Sequence, residues 1–399
     1  MILRSIDVDK KISIFYNQDK SRYKVYLKMR ALTVILLVAA VAVLVSLSQC
    51  NIEYPCNAAA PPVVYTQHAE PPPPPIDALL IWVDTRDPVW SGLKQKYQAK
   101  TGRGLRFDAI RLPESPWAHV EVMHCVTLLL DNLPFIRNLV VVMMRPQTLP
   151  QELLSSLPPA MAAKIKYVYH DEYIPARCLP TFNSSVIELF LHRIQTLSEH
   201  FVYFNDDTYV VRKMQPSHFF GYTETSGQQQ RYAPVVSCLQ TTWAAAVPPA
   251  AGSWLMQRLK KTHAAAHCYS HRVYQSTRLH RRRQKYYIRD HRPISLTKEM
   301  LRRADDEIPR QVMHNAAQCR FRSPKDLLFL VLALHVALDT QGAIHRPAPA
   351  LLFSVESSTP LSKVTVRAAL VSNASFVCIN ALDIDSEEQR RFLSDILYP

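Results

Sequence analysis

Residues 201–207 read FVYFNDD: an apolar run of Phe201, Val202, Tyr203 and Phe204 that ends on Asn205 and two adjacent carboxylates, Asp206 and Asp207. An apolar stretch this short, closed by turn-forming residues, predicts a strand buried on both faces. Residues 76–83 (IDALLIWV), 139–144 (LVVVMM) and 165–169 (IKYVY) read the same way. Helical patterns lie between them, over 120–133 and over 185–198. Strands alternating with helices predict an α/β fold built on a mainly parallel sheet. Residues 327–338 are apolar throughout, but twelve residues followed by Asp339 predict a core helix rather than a membrane span.

The remainder of the 399-residue chain is consistent with one large domain carrying appendages. Hydrophobic residues make up 48% and charged residues 20%, enough to build a core and too apolar for overall disorder. The charge is lopsided: 47 Lys+Arg against 33 Asp+Glu leave +14, which favours anionic partners. Only 7 glycines accompany 29 prolines, and neither GxGxxG nor a P-loop occurs, so a diphosphate would be held by something other than a backbone cradle.

Residues 31–47 (ALTVILLVAAVAVLVSL) carry no charge and follow Lys20, Arg22, Lys24, Lys28 and Arg30. At 1.5 Å per residue they span roughly 26 Å, the short end of a membrane helix. A cleaved signal peptide would have a shorter apolar region and a shorter basic lead, so an uncleaved anchor is the better reading. Its basic flank predicts a cytosolic tail over 1–30, with all that follows in a lumen or outside the cell. Residues 48–75, with five consecutive prolines from Pro71 to Pro75, predict an extended stem. The expected catalytic domain is then 76–399. Residues 214–290 interrupt its rhythm and read as an insertion, with a basic run over 278–289.

Two carboxylates at the carboxyl end of a buried parallel strand lie where open α/β sheets bind ligands. Like charges so close call for a cation, and a divalent ion bridging to a diphosphate suits hard oxygen donors. Asp84 and Asp87 follow another strand in the same way. His291 follows Asp290 in DHRP, and Arg320 and Arg322 alternate so that an extended segment would present both to one phosphate. The run His280–Arg283 with Lys285 suggests a polyanion patch, but no nucleic-acid motif accompanies it and none is expected as partner. The eight cysteines, at 50, 56, 125, 178, 238, 268, 319 and 378, form no zinc spacing. Glycosylation sequons occur at Asn183 and Asn373, the second being the better candidate because the first falls inside the expected site.

Four blocks in order resemble the Stealth family of sugar-1-phosphate transferases, which includes bacterial capsule polymerases and the α/β subunit of N-acetylglucosamine-1-phosphotransferase. They are IDALLIWVDTRDPVW (76–90), LPTFNSSVIELFLHRIQTLSEHFVYFNDD (179–207), DHRPISLTKEM (290–300) with CRFRSPKDL (319–327), and FVCINALDIDSEEQRRFLSDILYP (376–399). The resemblance implies a nucleotide-diphospho-sugar transferase-like, Rossmann-like core. It implies transfer of a sugar-1-phosphate from a nucleotide-sugar donor to a glycan or glycoprotein hydroxyl, with Mg²⁺ or Mn²⁺, in a Golgi or other secretory-pathway membrane. Carried onto this chain, Trp82, Asp84, Asp87 and Glu121 would hold the donor. Asn183, Ser184, Glu188, His192, Arg193 and Asn205 would line the sugar-phosphate pocket. Asp206 and Asp207 would bind metal, Arg322 would stabilise the transferring phosphoryl group with Asp326 orienting it, and either His291 or Asp207 would be the general base. Departures fall at Thr85-Arg86, Met123, Thr127, Lys325 and Ala381, where the family pattern has Gly-Ser, two arginines, an acid and Asp. Two other classes fit parts of the pattern: a conventional glycosyltransferase using Asp206-Asp207, and a non-catalytic binder of anionic glycans.

Overall fold

Leu139–Met143 (LVVVM) is buried along its whole length, as expected of a strand covered on both faces. A computed structural model describes residues 71–101, 117–223, 231–236, 239–241, 276, 279–280, 286–288, 292–323, 326–345, 352–355 and 375–379. The stretch Leu139–Met143 is β2 of a five-stranded sheet. With it run β1 (Ile76–Ile81), β3 (Ile165–Tyr169) and β4 (His200–Asn205), in the order β4-β1-β2-β3 and all parallel. The short strand β5 (Thr208–Val210) follows β4 at once, the hairpin of β6 (Phe220–Thr223) with β7 (Arg231–Val236) comes next, and β8 (Leu239–Thr241) pairs with β9 (Tyr286–Ile288). β10 (Ile294–Thr297) closes the large sheet, antiparallel to β4. β11 (Ile344–His345) joins β7, while β12 (Leu352–Val355) and β13 (Phe376–Ile379) form a three-stranded sheet with β5. The mainly parallel sheet is thus as the sequence predicts, with one antiparallel edge added.

Period-two alternation divides the core. Ala78, Leu80, Val141, Val202 and Phe204 pack with Val122, Cys125, Val126 and Leu129 of the long helix Trp117–Asn132. Leu79, Val140, Val142, Phe201 and Tyr203 face the other way, onto Phe329, Leu332 and Ala333. That second helix, Phe329–Asp339, is buried from Phe329 to Ala337, the behaviour of a helix that is apolar all round. In chain order the helices used below are α1 (Pro88–Thr101), α2 (Trp117–Asn132), α3 (Ser184–Glu188), α4 (Lys298–Asp306) and α5 (Phe329–Asp339). No helix among the described residues is long and apolar enough to cross a membrane; the anchor expected over 31–47 and the stem up to residue 70 lie outside them.

The expected helix over 185–198 is a correction: α3 ends at Glu188, and a single 3₁₀ turn, Leu191–Arg193, follows. The chain is diverted because its backbone groups serve other elements. Ile194 O accepts from Lys298 Nζ at 2.6 Å, and Ser198 N donates to Asp77 Oδ2 at 2.7 Å. His280 is a second correction. Read as part of a surface patch, it is buried, with Nδ1 3.6 Å from Glu307 and Nε2 3.3 Å from Asp339. Most of 214–290 lies outside the described residues.

α4 begins where β10 stops, and Thr297 Oγ1 accepts from Met300 N at 3.1 Å as the helix N-cap. Thr297→Ala is expected to lower unfolding free energy by about 1 kcal/mol in urea titrations, the usual worth of such a cap. A change below about 0.3 kcal/mol would assign the helix start to packing alone.

Candidate active site

The chain leaves β1 toward β2 and β3 on one side and returns to β4 on the other. Ile81 and Asn205 are register partners, so the loops after β1 and β4 emerge side by side. That is the topological switch point, where open α/β sheets bind ligands beyond the carboxyl ends of their strands.

The β1 loop is held from both directions. Trp82 is buried and its N–H continues the ladder to Val142 O at 3.0 Å. Buried Gln147 clamps Asp84's backbone, accepting from its N–H at 3.2 Å and donating to its carbonyl at 2.8 Å. The Asp84 carboxylate accepts from Arg86 N at 3.0 Å and faces His119 Nε2, on α2, at 2.6 Å. Arg86's guanidinium lies against His119 Nδ1. The other ring nitrogen, Nε2, is thus the one that faces Asp84. Asp87 Oδ1 accepts from Trp90 N at 2.6 Å and so caps α1.

The β4 turn carries the acids. Asp206 is buried and Asp207 half-buried, and Thr208 Oγ1 donates to Asp207 Oδ1 at 3.3 Å. Helix α2 supports the turn from behind. Cys125 Sγ lies 3.5 Å from Thr208 O and 3.9 Å from Asn205 O, while Asn132 Nδ2 donates to Val210 O at 2.7 Å. Glu121 is one helical turn before Cys125 on the same face, so its charge acts on the same thiol as those of Asp206 and Asp207. The electrostatics agree. Burial, then Asp206, Asp207 and Glu121, push the Cys125 thiol well above its ordinary pKa. Burial, then Glu121, Cys125, Asp207 and Asp206, do the same to the Tyr209 phenol.

A third group lies around the start of α3. Asn183 is fully buried and its amide is consumed by the fold. Oδ1 accepts from Ser185 N at 3.1 Å, and Nδ2 donates toward Cys319 O, Phe321 O and Asp326 Oδ2 at 3.1, 3.2 and 3.0 Å. Asn183 therefore welds the 319–326 segment to α3, and it is not placed to accept a glycan; the other sequon, at Asn373, lies outside the described residues. Asp326 also accepts from Ser323 N at 2.9 Å, and exposed Arg322 donates to Ser184 Oγ at 3.0 Å. This leaves a cation at the helix start, beside the buried Asn183–Asp326 lock.

The remaining expected residues divide between packing and the site. Glu188 accepts from Tyr203 OH at 2.9 Å. His192 approaches Asp305 at 3.7 Å, but burial, then Arg193, Arg302 and Lys298, push its pKa down to about 4, so at neutral pH the contact is not an ion pair. Arg193 lies over the Phe190 ring at 4.8 Å. The structure thus places Glu121, Asp206 and Asp207 around Cys125, joins Asp84 to His119, and joins Ser184 to Arg322. His291 lies outside the described residues, as do Asp290 and Lys325. No disulfide joins the four described cysteines. Sequence reading missed His119, Cys125, Gln147 and Tyr209. His119 and Cys125 had a usable signal, since with Glu121 they share one stretch of α2; Gln147 had none.

Among the described residues, no three histidine, cysteine or acidic side chains are drawn into a preformed metal cage. Magnesium-like ions need none, because they are commonly held by one or two carboxylates together with substrate phosphates and water. An all-oxygen pair at Asp206 and Asp207 fits such an ion.

Residues 120–229 match Stealth protein CR2, conserved region 2. The chain carries the second conserved region of the Stealth family. That region contains Glu121, Cys125, Asn183, Ser184 and the Asn205–Tyr209 turn. The chain is 37% identical over 152 residues to a capsular polysaccharide phosphotransferase of Neisseria meningitidis serogroup B, covering 37% of this chain and 38% of that protein. It is 38% identical over 151 residues to the capsular polysaccharide phosphotransferase fcs1 of Haemophilus influenzae, covering 37% and 38%. The similarity thus spans less than two fifths of these relatives' length. Among solved structures there is a distant likeness to the galactosyltransferase LgtC bound to donor and acceptor sugar analogs, at 8% identity and a TM-score of 0.35, over 76% of this chain and 86% of that one.

Proposed function

We propose that this Stealth protein is a metal-dependent sugar-1-phosphate transferase acting from a nucleotide-sugar onto a glycan or glycoprotein hydroxyl. The observation that carries the reading is the Asp206–Asp207 turn at the switch point, lying within the Stealth region. That the similar proteins are capsular polysaccharide phosphotransferases supports the reaction class.

In this reading the acceptor oxygen attacks the phosphorus that bears the sugar. A new P–O bond forms, the P–O bond to the nucleotide's phosphate breaks, and nucleoside monophosphate leaves with the bonding pair. The hydroxyl proton passes to a base, His291 or Asp207. Asp206 and Asp207 would hold a divalent cation, which would supply charge neutralisation on the diphosphate. Arg322, fixed by Ser184, adds positive charge at the mouth of the site, where preformed cations favour a charged transition state. Asp84, oriented by Gln147 and His119, faces the donor from the β1 loop. Residues 1–30, 31–47 and 48–75 serve as cytosolic tail, membrane anchor and stem, presenting the catalytic domain 76–399 in the lumen of the secretory pathway.

Incubation with a panel of labelled nucleotide-sugars and Mg²⁺ or Mn²⁺ is expected to release nucleoside monophosphate and leave phosphorus in the acceptor. Release of nucleoside diphosphate alone would mean attack at the anomeric carbon, and a conventional glycosyltransferase. No turnover with any donor would leave the glycan-binding reading.

A further inference from the structure

Arg86 ends a chain of contacts that starts in the interior. Buried Gln147, in the loop after β2, holds the backbone of Asp84 through both its N–H and its carbonyl. Asp84 Oδ1 accepts from Arg86 N at 3.0 Å and lies 3.7 Å from Arg86 Nε. Asp84 Oδ2 lies 2.6 Å from His119 Nε2, and His119 Nδ1 lies against Arg86 Nη2. The imidazole also stands beside the buried Trp82 ring, with centroids 6.0 Å apart. Groups from β1's end, the β2 loop and α2 thus hold a side chain that is itself exposed. Stability gives little reason for such support, because exposed ion pairs contribute little to it. Two features supply another reason. Both contacts fall on the Nε–Nη2 edge of the guanidinium, which leaves the Nη1 edge of the fork for a second partner. The charge around it is also one-sided. Residues 82–87, helix α2 and the turn 205–208 contain a single Lys or Arg between them, Arg86, beside Asp84, Glu121, Asp206 and Asp207. An anionic ligand entering at this switch point meets those acids, and Arg86 is the cation that the same elements hold ready for it.

We propose that Arg86 binds the diphosphate of the nucleotide-sugar donor through the Nη1 edge of its guanidinium, and that His119 is the positioning residue that aims it. The proposal deepens the function given above and rests on it for the identity of the ligand. Arginine suits the task because its fork is planar, always charged and matched to phosphate oxygens, and because a fork already held loses less freedom on binding. His119 acts through Arg86 alone: it faces the guanidinium on one side and the Asp84 carboxylate on the other.

Calorimetric titration of the whole purified chain with inorganic pyrophosphate, at fixed Mg²⁺, tests the site without turnover. Arg86→Ala is expected to weaken pyrophosphate binding about tenfold, and Arg86→Lys, which keeps the charge but loses the fork, about threefold. In turnover with the preferred donor, Arg86→Ala should raise donor KM about tenfold and change kcat and acceptor KM less than about twofold, the pattern of a contact made equally before and during reaction. His119→Ala should weaken pyrophosphate binding about threefold in the natural chain but less than about 1.5-fold in the Arg86→Ala background, where nothing remains to be aimed. Pyrophosphate affinity within about twofold of the natural protein in Arg86→Ala, or no pyrophosphate binding by the natural protein, overturns the site. A rise in acceptor KM alone overturns the assignment to the donor, and equal losses from His119→Ala in both backgrounds overturn its positioning role. Release of nucleoside diphosphate in place of monophosphate overturns the reaction proposed above and leaves the Arg86 site standing.

Discussion

Asp207→Ala is expected to lower the rate of nucleoside monophosphate release by about a thousandfold with the fold intact. The size follows from its position. A metal-bound diphosphate and a developing phosphoryl charge draw several kcal/mol of stabilisation from the ion, and each 1.36 kcal/mol of barrier is a factor of ten. The fold should survive because Asp207 is half-buried and lies in the turn between β4 and β5. Single-turnover kinetics with the preferred donor, beside far-ultraviolet circular dichroism, would measure both halves. A variant that stays folded and retains more than a tenth of the natural rate would remove Asp207 from the metal and from the base position together.

Asp77→Asn should lower stability by about 3 kcal/mol without touching the site. Asp77 is buried at the start of β1 and accepts four hydrogen bonds: from Arg137 Nε at 2.9 Å and Nη2 at 2.7 Å, from Asn138 N at 3.1 Å and from Ser198 N at 2.7 Å. One carboxylate thus aligns the entries to β1, β2 and β4, which in turn sets the strands' carboxyl ends level. Breaking a buried pair by removing one partner costs about 3–5 kcal/mol; the low end applies because Arg137 is half exposed and can regain water. Burial by itself would raise Asp77's pKa, but the hydrogen bonds from Arg137 and Ser198, with the arginine's charge, outweigh it and hold the group below its usual value. A depressed carboxylate stabilises the fold above the unfolded-state pKa of about 3.9 and loses that contribution as pH falls through the lower folded value. The gap between natural and variant unfolding free energies should therefore be constant from pH 6 to 8 and narrow below about pH 4. A gap under 1 kcal/mol, or one that narrows near neutrality, would contradict this account.

Local signals stated the sheet well. The run 139–143 is β-branched and apolar, so it had to be covered on both faces, and β2 is. The apolar stretch 327–338 became α5 for the same reason. The stretch 185–198 misled because its apolar spacing suits a helix, whereas its backbone is claimed by Lys298 and Asp77, more than a hundred residues away in sequence in each case. His280 misled in the opposite sense. Its basic neighbours suggest a surface, but two carboxylates from other elements draw it inside.

The site divides along the same line. FVYFNDD by itself determined a strand ending on two acids, because hydrophobic periodicity and turn chemistry are carried by adjacent residues. The blocks around it determined which reaction to test. Only the tertiary structure decided that Glu121 and those acids surround one buried thiol, that Asp84 is oriented by His119 and Gln147, that Asp87 caps a helix, and that Asn183 is a buried weld. Each of these depends on which distant groups the parallel register brings within hydrogen-bonding reach. A carboxylate or an amide has the same identity in the sequence whether it ends up facing a ligand or the protein's own backbone. Burial and partners separate the two fates, and both are properties of the folded chain.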